Sequence, residues 1–473
     1  MSNNDSGKPA GLTRRRFLAT IAAGAAGSAA LAACGGSDNT GDGSAPATQT
    51  LPNPEDSGID HIVVVMMENR SFDHYFSWVP GANGKQALSF TDTDGKSHKN
   101  YDLSPNYQNC TLADPDHSYD GARTQWNKGK MDGFLKTQPA GDLFPIGYYT
   151  DKDLPFYKGV VENWTLCDAY HCGILGPTQP NRYYMHAGQT NKKDNTTNHF
   201  DLPTVWDKLQ SVGRTGRYYY GDAAGWALVT VEFSGHNPGL LNIRPFSQFL
   251  SDAKNGNLAD VSYVDPAMLG EGAGTSNDDH PLADIRKGQV FLNQVYDAVR
   301  TSPQWDKTLL IINYDEWGGF YDHVPPPTGP VTPEEFAATG NDGLLGFRVP
   351  CMVIGPRARR NHIASQPVDP NAILNMIAWR FGFDPLGARG KSSINFAQVL
   401  DFTNPPDTSA APAFDVPDDP SYGQSCKSQM EAAQQTMEPA RYAELEKRHA
   451  EHLNEWQELV DAAAAAGHVY PGQ

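Results

Sequence analysis

The chain of 473 residues is predicted to have an α/β fold, with a mostly parallel central sheet flanked by helices. Apolar runs of strand length recur along it, and each ends in polar residues or in Gly and Pro. Runs of helical length lie between strand candidates, as in sheets covered by helices. A long irregular region adds loop insertions to this framework.

Three runs carry the strand prediction: residues 62–67, 309–313 and 349–354 are apolar enough to be buried on both faces of a sheet. Two helices are predicted, over residues 281–300 and over Pro370–Phe381. In the first of them, apolar residues recur at approximately helical spacing. This alternation favours parallel strand pairing over an all-antiparallel sheet.

Two further segments are irregular or appended. Residues 77–156 show no clear period and are rich in Asp, Gly, Asn and Tyr, as in loops that build the rim of a site. A Pro-rich linker at 404–422 precedes a helical pattern at 426–466. The chain is therefore divided into a catalytic domain at 58–403 and a linker with a C-terminal helix at 404–473.

The N-terminus is predicted to be an export segment. Arg14, Arg15 and Arg16 precede a run of small apolar residues that ends at Cys34, which resembles a twin-arginine signal with a lipobox over residues 1–34. The alternative is a short membrane anchor, although the run is Gly- and Ala-rich and only about 17 residues long.

The interpretation of residues 1–34 has consequences for location. A lipidated Cys34 would anchor the protein to the membrane at the cell envelope, either periplasmic or on the cell surface, and an unlipidated chain would be secreted. Residues 35–57, rich in Gly, Ser, Asp, Thr and Pro, are predicted to be a flexible tether.

Charge and cysteine content limit the remaining possibilities. A formal net charge of -18 argues against a general nucleic-acid binder. Beyond Cys34 the cysteine count is odd, so at least one thiol is unpaired in a monomer. Cys167 and Cys172 either form a disulfide or are simply buried, and without a second close pair they are poor zinc ligands. The five are Cys110, Cys167, Cys172, Cys351 and Cys426.

Two of the predicted strands lead directly into oxygen-bearing side chains. Glu68 and Asn69 follow the first strand, and Asp315 and Glu316 follow the second. Ligands of open α/β sheets bind beyond the carboxyl ends of the strands, and carboxylates and amides suit hard divalent cations. The four residues could form one metal site; alternatively, each carboxylate caps a helix or a turn.

Histidines in Asp-rich loops add candidate acid–base groups. His323 follows a double glycine that allows close backbone approach after Asp315 and Glu316, and His280 and His117 lie in separate loops. A histidine can be a metal ligand, a phosphate donor or a general acid. A single histidine is more often structural, so a catalytic role for these three depends on whether they face a common pocket.

Three stretches, "MMENRSFDHYF", "GPTQPNRYY" and "YDEWGGFYDHV", occur in this order. Together they resemble the bacterial phosphoesterase family that contains the non-haemolytic and haemolytic phospholipases C and related acid phosphatases. The resemblance covers residues 60–381. It implies an alkaline-phosphatase-like α/β fold and hydrolysis of phosphate esters through a phosphorylated hydroxyl residue.

The resemblance also implies a role for each candidate. Glu68 with Asn69, and Asp315 with Glu316, match the two metal-binding pairs of the family, and the metal is a divalent ion. Thr178 matches the nucleophile, which would also bind the metal. The histidines match positions that contact phosphate or protonate the leaving group: His117, His280 and His323.

The residues around Thr178 fit that role and also a simpler one. Pro177 and Pro180 flank it just before a predicted helix, so its hydroxyl would lie near a helix N-terminus, where amide groups favour a phosphoryl group. A threonine at this place is otherwise most often a helix N-cap.

The expected activity is that of an exported phospholipase C, which hydrolyses phospholipids such as phosphatidylcholine to diacylglycerol and a phosphorylated head group through a metal-activated phosphothreonine. The alternatives are an acid phosphatase or general phosphodiesterase acting on soluble esters, and a surface lipoprotein that binds without turnover. Aromatic residues could bind a quaternary ammonium group or only pack: Tyr119, Trp126, Tyr148, Tyr149 and Trp164.

Overall fold

The computed structural model describes residues 48–233 and 242–471. The predicted export signal and residues 35–47 of the predicted tether lie outside these described residues. The rest of that tether is folded. The side chain of Gln49 donates hydrogen bonds to the carbonyls of Ala397, Gln398 and Leu400, and Pro54–Ser57 forms a 3₁₀ turn. Residues 48–57 are therefore part of the folded body.

The strands form one large sheet and two small ones. The large sheet has eight strands in the order β12-β6-β11-β10-β1-β9-β7-β8 among the described residues. The strands are β1 His61–Met67, β2 Ser89–Thr91, β3 Ser97–Lys99, β4 Tyr101–Asp102, β5 Gly147–Tyr148, β6 Thr165–Cys167, β7 Gly216–Tyr220, β8 Asn242–Pro245, β9 Val261–Val264, β10 Thr308–Tyr314, β11 Cys351–Ile354 and β12 His362–Ala364.

Pairing in the large sheet is mostly parallel, as predicted. Strand β1 pairs in parallel with β10 and β9, and the parallel arrangement continues through β7 to β8. Within this sheet, only the pairs that β11 makes with β10 and β6 are antiparallel among the described strands. Every residue of β10 is buried. Because successive side chains point to opposite faces, both faces of the sheet are covered here.

Helices provide that cover. The helix predicted from Pro281 begins only at Ile285, because Leu282 has a positive φ of 79° and the Asp284 side chain caps the first turn. The helices are α1 Phe72–Phe76, α2 Tyr119–Trp126, α3 Pro155–Asn163, α4 Thr178–Ala187, α5 Val205–Ser211, α6 Ala223–Ala227, α7 Phe246–Lys254, α8 Ile285–Arg300, α9 Pro333–Thr339, α10 Pro370–Phe381, α11 Lys427–Thr436 and α12 Pro439–Ala465.

Some helices pack on helices that are distant in the sequence, and others on their neighbours in the sequence. Helix α10 packs on α4, whereas α8 packs on α3 and α7. All ten residues of α4 are buried, so this helix lies inside the domain rather than on its surface. Among the described residues, no helix is both long enough and apolar enough to cross a membrane.

The C-terminal segment is joined to the domain rather than appended to it. The single helix predicted at 426–466 is two helices, because Pro439 cannot continue α11 and the side chain of Glu438 caps the start of α12. Trp456 and Leu459 of α12 are buried in the main hydrophobic core.

A disulfide joins this segment to the irregular region. Cys110 is bonded to Cys426, across a sequence separation of 316 residues. Cys167 and Cys172, the pair considered for a bridge, are both free and buried, as is Cys351. The bridge therefore joins two segments that the sequence places far apart.

Removing this bridge is expected to destabilise the protein. The double variant Cys110→Ala/Cys426→Ala should lose about 2–5 kcal/mol of unfolding free energy, because a long cross-link restricts the unfolded chain. Denaturant unfolding followed by circular dichroism measures the change. Reductant should destabilise the wild type and leave the double variant unaffected; equal sensitivity of the two proteins would contradict the assignment.

Candidate active site

The ends of β1 and β10 lie side by side and bring the two acidic pairs together. Met67 pairs with Tyr314 in the parallel register, so Glu68 and Asp315 are the next residues on each strand. The Asp315 N–H donates to the carbonyl of Met67 at 3.1 Å. The Asn69 N–H donates to Asp315 Oδ1 at 2.9 Å. The structure thus brings together the four residues that the sequence singled out.

Three of these four side chains, those of Asn69, Asp315 and Glu316, keep an oxygen atom that the protein does not satisfy. Asp315 Oδ1 accepts from the Glu316 N–H, and Glu316 Oε2 accepts from the Gly318 N–H, both at 2.7 Å. Among the described residues, the other oxygen of each, with Asn69 Oδ1, is buried without a hydrogen-bond partner. Buried polar atoms are normally satisfied. Three such oxygens at one place fit the ligand set of a hard divalent cation.

One arginine partly neutralises this group. Arg182 donates to Glu68 Oε1 from Nε at 3.1 Å and from Nη2 at 2.5 Å, and its Nη1 donates to Asp265 Oδ2 at 2.8 Å. It lies one helical turn after Thr178 on α4, so the two residues share a face of that helix. The sequence reasoning did not identify Arg182, although its i+4 spacing from Thr178 was a usable signal.

Even with Arg182 present, the negative charge of these carboxylates is only partly compensated. Burial raises the pKa of Glu68 well above its usual value, and the charge of Asp315 raises it further. Burial and the same neighbour also raise the pKa of Glu316 well above its usual value. The site therefore has less positive charge than its carboxylates require when they are ionised, and a bound cation would provide it.

Thr178 lies at the start of α4 and faces Glu68. Its hydroxyl donates to Glu68 Oε2 at 3.5 Å. The N-cap of α4 is Pro177, and Thr178 is the first helical residue. The capping role considered for this threonine is therefore excluded.

Two of the three predicted histidines lie beside this group. The Nε2 atom of His117 is 3.5 Å from Asn69 Nδ2, and Nδ1 of the same ring is 2.8 Å from the carbonyl of Pro115. The rings of His117 and His280 are in edge contact, with centroids 5.7 Å apart. Nδ1 of His280 lies 3.7 Å from Glu271 Oε2. With Asp114, these histidines form a further group that could hold a cation.

His323 belongs to a different cluster. Its Nδ1 is 2.6 Å from Asp73 Oδ2, and its Nε2 is 3.1 Å from Asn83 Oδ1. Arg348 pairs with both Asp73 and Asp322 there. Since both ring nitrogens are engaged in this network, the structure does not place His323 with Thr178. After the double glycine the chain turns towards α1, which carries Asp73. This turn is the reason why His323 lies with Asp73 and not with the other two predicted histidines.

The aromatic residues considered for an ammonium cage do not form one. Tyr149 and Trp164 are fully buried. The guanidinium of Arg123 lies 3.3 Å from the ring centre of Tyr119 and occupies that face. Trp126 lines a separate cavity with Asp132. Tyr148, like Trp126, is partly buried against the main hydrophobic core.

Gly318 is expected to be intolerant of substitution because its turn passes against Asn69. A Cβ atom at Gly318 would lie 2.1 Å from the Asn69 carbonyl oxygen, at a φ of +61°. Gly340 has a similar φ of +64° with open space around it. Gly340→Ala should therefore cost only the backbone strain, about 1–2 kcal/mol.

Gly318→Ala should cost roughly 1–3 kcal/mol more than Gly340→Ala, because the backbone of Asn69 must move. Unfolding free energies of the two variants measure the difference. Equal losses in the two variants would show that the close approach at Asn69 is not tight.

Comparison with known proteins places the chain among phosphoesterases. Phospholipase C B of Mycobacterium tuberculosis is 30% identical over 443 residues, covering 79% of this chain and 82% of that protein. Non-specific phospholipase C1 of Arabidopsis thaliana is 31% identical over 350 residues, covering 67% and 64%. Non-hemolytic phospholipase C of Pseudomonas aeruginosa is 28% identical over 448 residues, covering 78% and 62%.

Solved structures resemble the chain more distantly. Murine ectonucleotide pyrophosphatase/phosphodiesterase 5 has a TM-score of 0.37 at 9% identity, covering 72% of this chain and all of that one. A protein in the alkaline phosphatase superfamily from Vibrio parahaemolyticus has a TM-score of 0.36 at 9% identity, covering 71% and 69%. These likenesses carry no functional conclusion. The model of the Phosphoesterase family, however, matches residues 59–384. The chain therefore belongs to the Phosphoesterase family and is a phosphoric-ester hydrolase.

Proposed function

We propose that this protein is a phospholipase C, which cleaves the phosphodiester bond of a phospholipid to diacylglycerol and a phosphorylated head group. The observation that carries the proposal is the buried contact of the Thr178 hydroxyl with Glu68, inside a set of oxygen ligands. Relatives named phospholipase C in bacteria and in a plant support the substrate class.

The residues that would hold a divalent cation are Glu68, Asn69, Asp315 and Glu316, with the hydroxyl of Thr178. The unsatisfied oxygens and the raised carboxylate pKa values support this assignment. A cation bound there lowers the pKa of the threonine hydroxyl and neutralises charge on the phosphoryl oxygens.

The positions of these side chains support a reaction in two steps. Thr178 Oγ1 attacks phosphorus as the alkoxide, the form that the lowered pKa of its hydroxyl would favour. The attack forms a phosphothreonine and breaks the bond to the glycerol oxygen. His117 or His280 donates a proton to that departing oxygen. Water then attacks the phosphothreonine and gives a proton back to the histidine, which releases the phosphorylated head group and restores Thr178. His323 has no part in these steps.

The protein acts outside the cytosol. The Cys110–Cys426 disulfide supports this, because disulfides persist in oxidising compartments. The twin-arginine pattern ahead of Cys34 supports export and a lipid anchor. The membrane would then be both the anchoring surface and the source of the substrate.

Replacing the nucleophile is expected to abolish turnover. Thr178→Ala should lower kcat on phosphatidylcholine and on a chromogenic phosphorylcholine ester by about 10³-fold or more, because alanine has no hydroxyl to attack phosphorus. Thr190→Ala is the matched control, since the hydroxyl of this buried threonine donates to the carbonyl of Lys192 and accepts from the N–H of the same residue. Unchanged activity of Thr178→Ala would exclude the nucleophile, and turnover of a phosphomonoester alone would favour an acid phosphatase.

The metal-free protein is expected to lose stability as the pH rises. Glu68 and Glu316 have raised pKa values, so the folded chain keeps protons that the unfolded chain has already released. Above their ordinary value of 4.5 the unfolding free energy should therefore fall with pH until the raised pKa values are passed. Thermal unfolding in chelator over a pH series measures this slope.

Added divalent cation should stabilise the protein, and more so at higher pH, because it competes with those protons. Glu316→Gln should remove most of this stabilisation, whereas Glu334→Gln, which changes an exposed carboxylate on α9, should not. Calcium, magnesium, manganese and zinc are compared in turn. If added cation stabilises Glu316→Gln as much as the wild type, the cation binds elsewhere.

A further inference from the structure

A cavity of about 470 Å³ lies beside the candidate active site. His117 and Pro177, the residue before Thr178, line it on one side. The other side is formed by helix α12, which lies more than 250 residues further along the chain than Thr178. The α12 residues that line it are Glu444, Lys447 and Arg448.

Helix α12 is fixed to the loop that carries His117. Arg448 donates from Nη1 to the Gln138 side chain at 2.9 Å and to the Asp114 carbonyl at 3.5 Å. Nε2 of His449 lies 2.9 Å from the Leu112 carbonyl. The disulfide at Cys110 ties the start of the same loop to the chain just before α11. The helix is therefore a fixed wall of the cavity.

The charge of the cavity is mostly negative. Arg448 is already committed to the loop and to Glu444, whose Oε1 accepts from Arg448 Nε at 3.1 Å. The carboxylates outnumber the two cationic side chains, and no Phe, Tyr or Trp side chain lines the cavity among the described residues. The carboxylates are Asp114, Asp116, Asp194 and Glu444.

We propose that α12 forms the head-group wall of the active site, with Glu444 selecting substrates whose group beyond the phosphate carries a positive charge. The inference rests on the proposed phosphodiesterase function. Carboxylates would recognise the ammonium group here, in place of an aromatic cage. Arg448 holds Glu444 at the cavity side of the helix, and the loop contacts fix the distance from that carboxylate to the reaction centre.

Paired esters test the selectivity. One is a chromogenic ester of phosphorylcholine, and the other is the corresponding phosphodiester of a neutral alcohol. In Glu444→Gln, KM for the cationic ester should rise roughly three- to fivefold, as expected for a partly exposed charge, with kcat and the neutral ester unchanged. Glu444→Lys should give a larger rise. Glu446→Gln, on the same helix and bonded to Tyr442, should change neither ester.

Two results would overturn the proposal: no change in Glu444→Gln, or an equal change for both esters. If the wild type cleaves neither ester, the proposed function itself fails. Titration calorimetry then tests, without turnover, whether α12 selects a cationic ligand. The wild type should bind phosphorylcholine more tightly than inorganic phosphate, and Glu444→Gln should weaken only the former. Equal affinity of the wild type for the two ligands would refute the cationic selectivity.

Discussion

The parallel, in-register pairing of β1 with β10 is the constraint on which the site depends. Because Met67 faces Tyr314 across this pair, the chain leaves both strands at the same edge, and Glu68 lies next to Asp315. A slip of one residue would send the side chains of a strand to the opposite face of the sheet. Every other part of the site is positioned relative to this edge.

That arrangement concentrates negative charge in a buried place. Glu68, Asp315 and Glu316 are withdrawn from water together with Asp265, and Arg182 supplies the one guanidinium bonded within this group in the described chain. Buried charge without a partner costs several kcal/mol per ion. The fold therefore tolerates an excess of negative charge at the sheet edge that its own cationic side chains do not neutralise. Such an excess is a physical sign of a binding site.

Local patterns were enough to predict the parts of the structure that depend on neighbouring residues. The apolar run before Glu68 and the helix at Pro370–Phe381 could be recognised from their composition and spacing. The Cys110–Cys426 pair could not, since sequence spacing carries no information on distance across 316 residues. His323 was misplaced because a motif gives the order of residues and not the direction in which the chain turns. The amphipathic pattern of α12 likewise did not show which surface it would cover.

The separation in sequence between the two halves of the site has a consequence for biosynthesis. Asn69 and Asp315, which share a hydrogen bond, are 246 residues apart, so the site cannot assemble on a ribosome until most of the chain has emerged. Such non-local pairing is slow to form and leaves the early strands exposed. The nascent chain thus remains inactive until Asp315 and Glu316 have also emerged. A cell that makes a phosphoric-ester hydrolase would in this way be protected from it during translation.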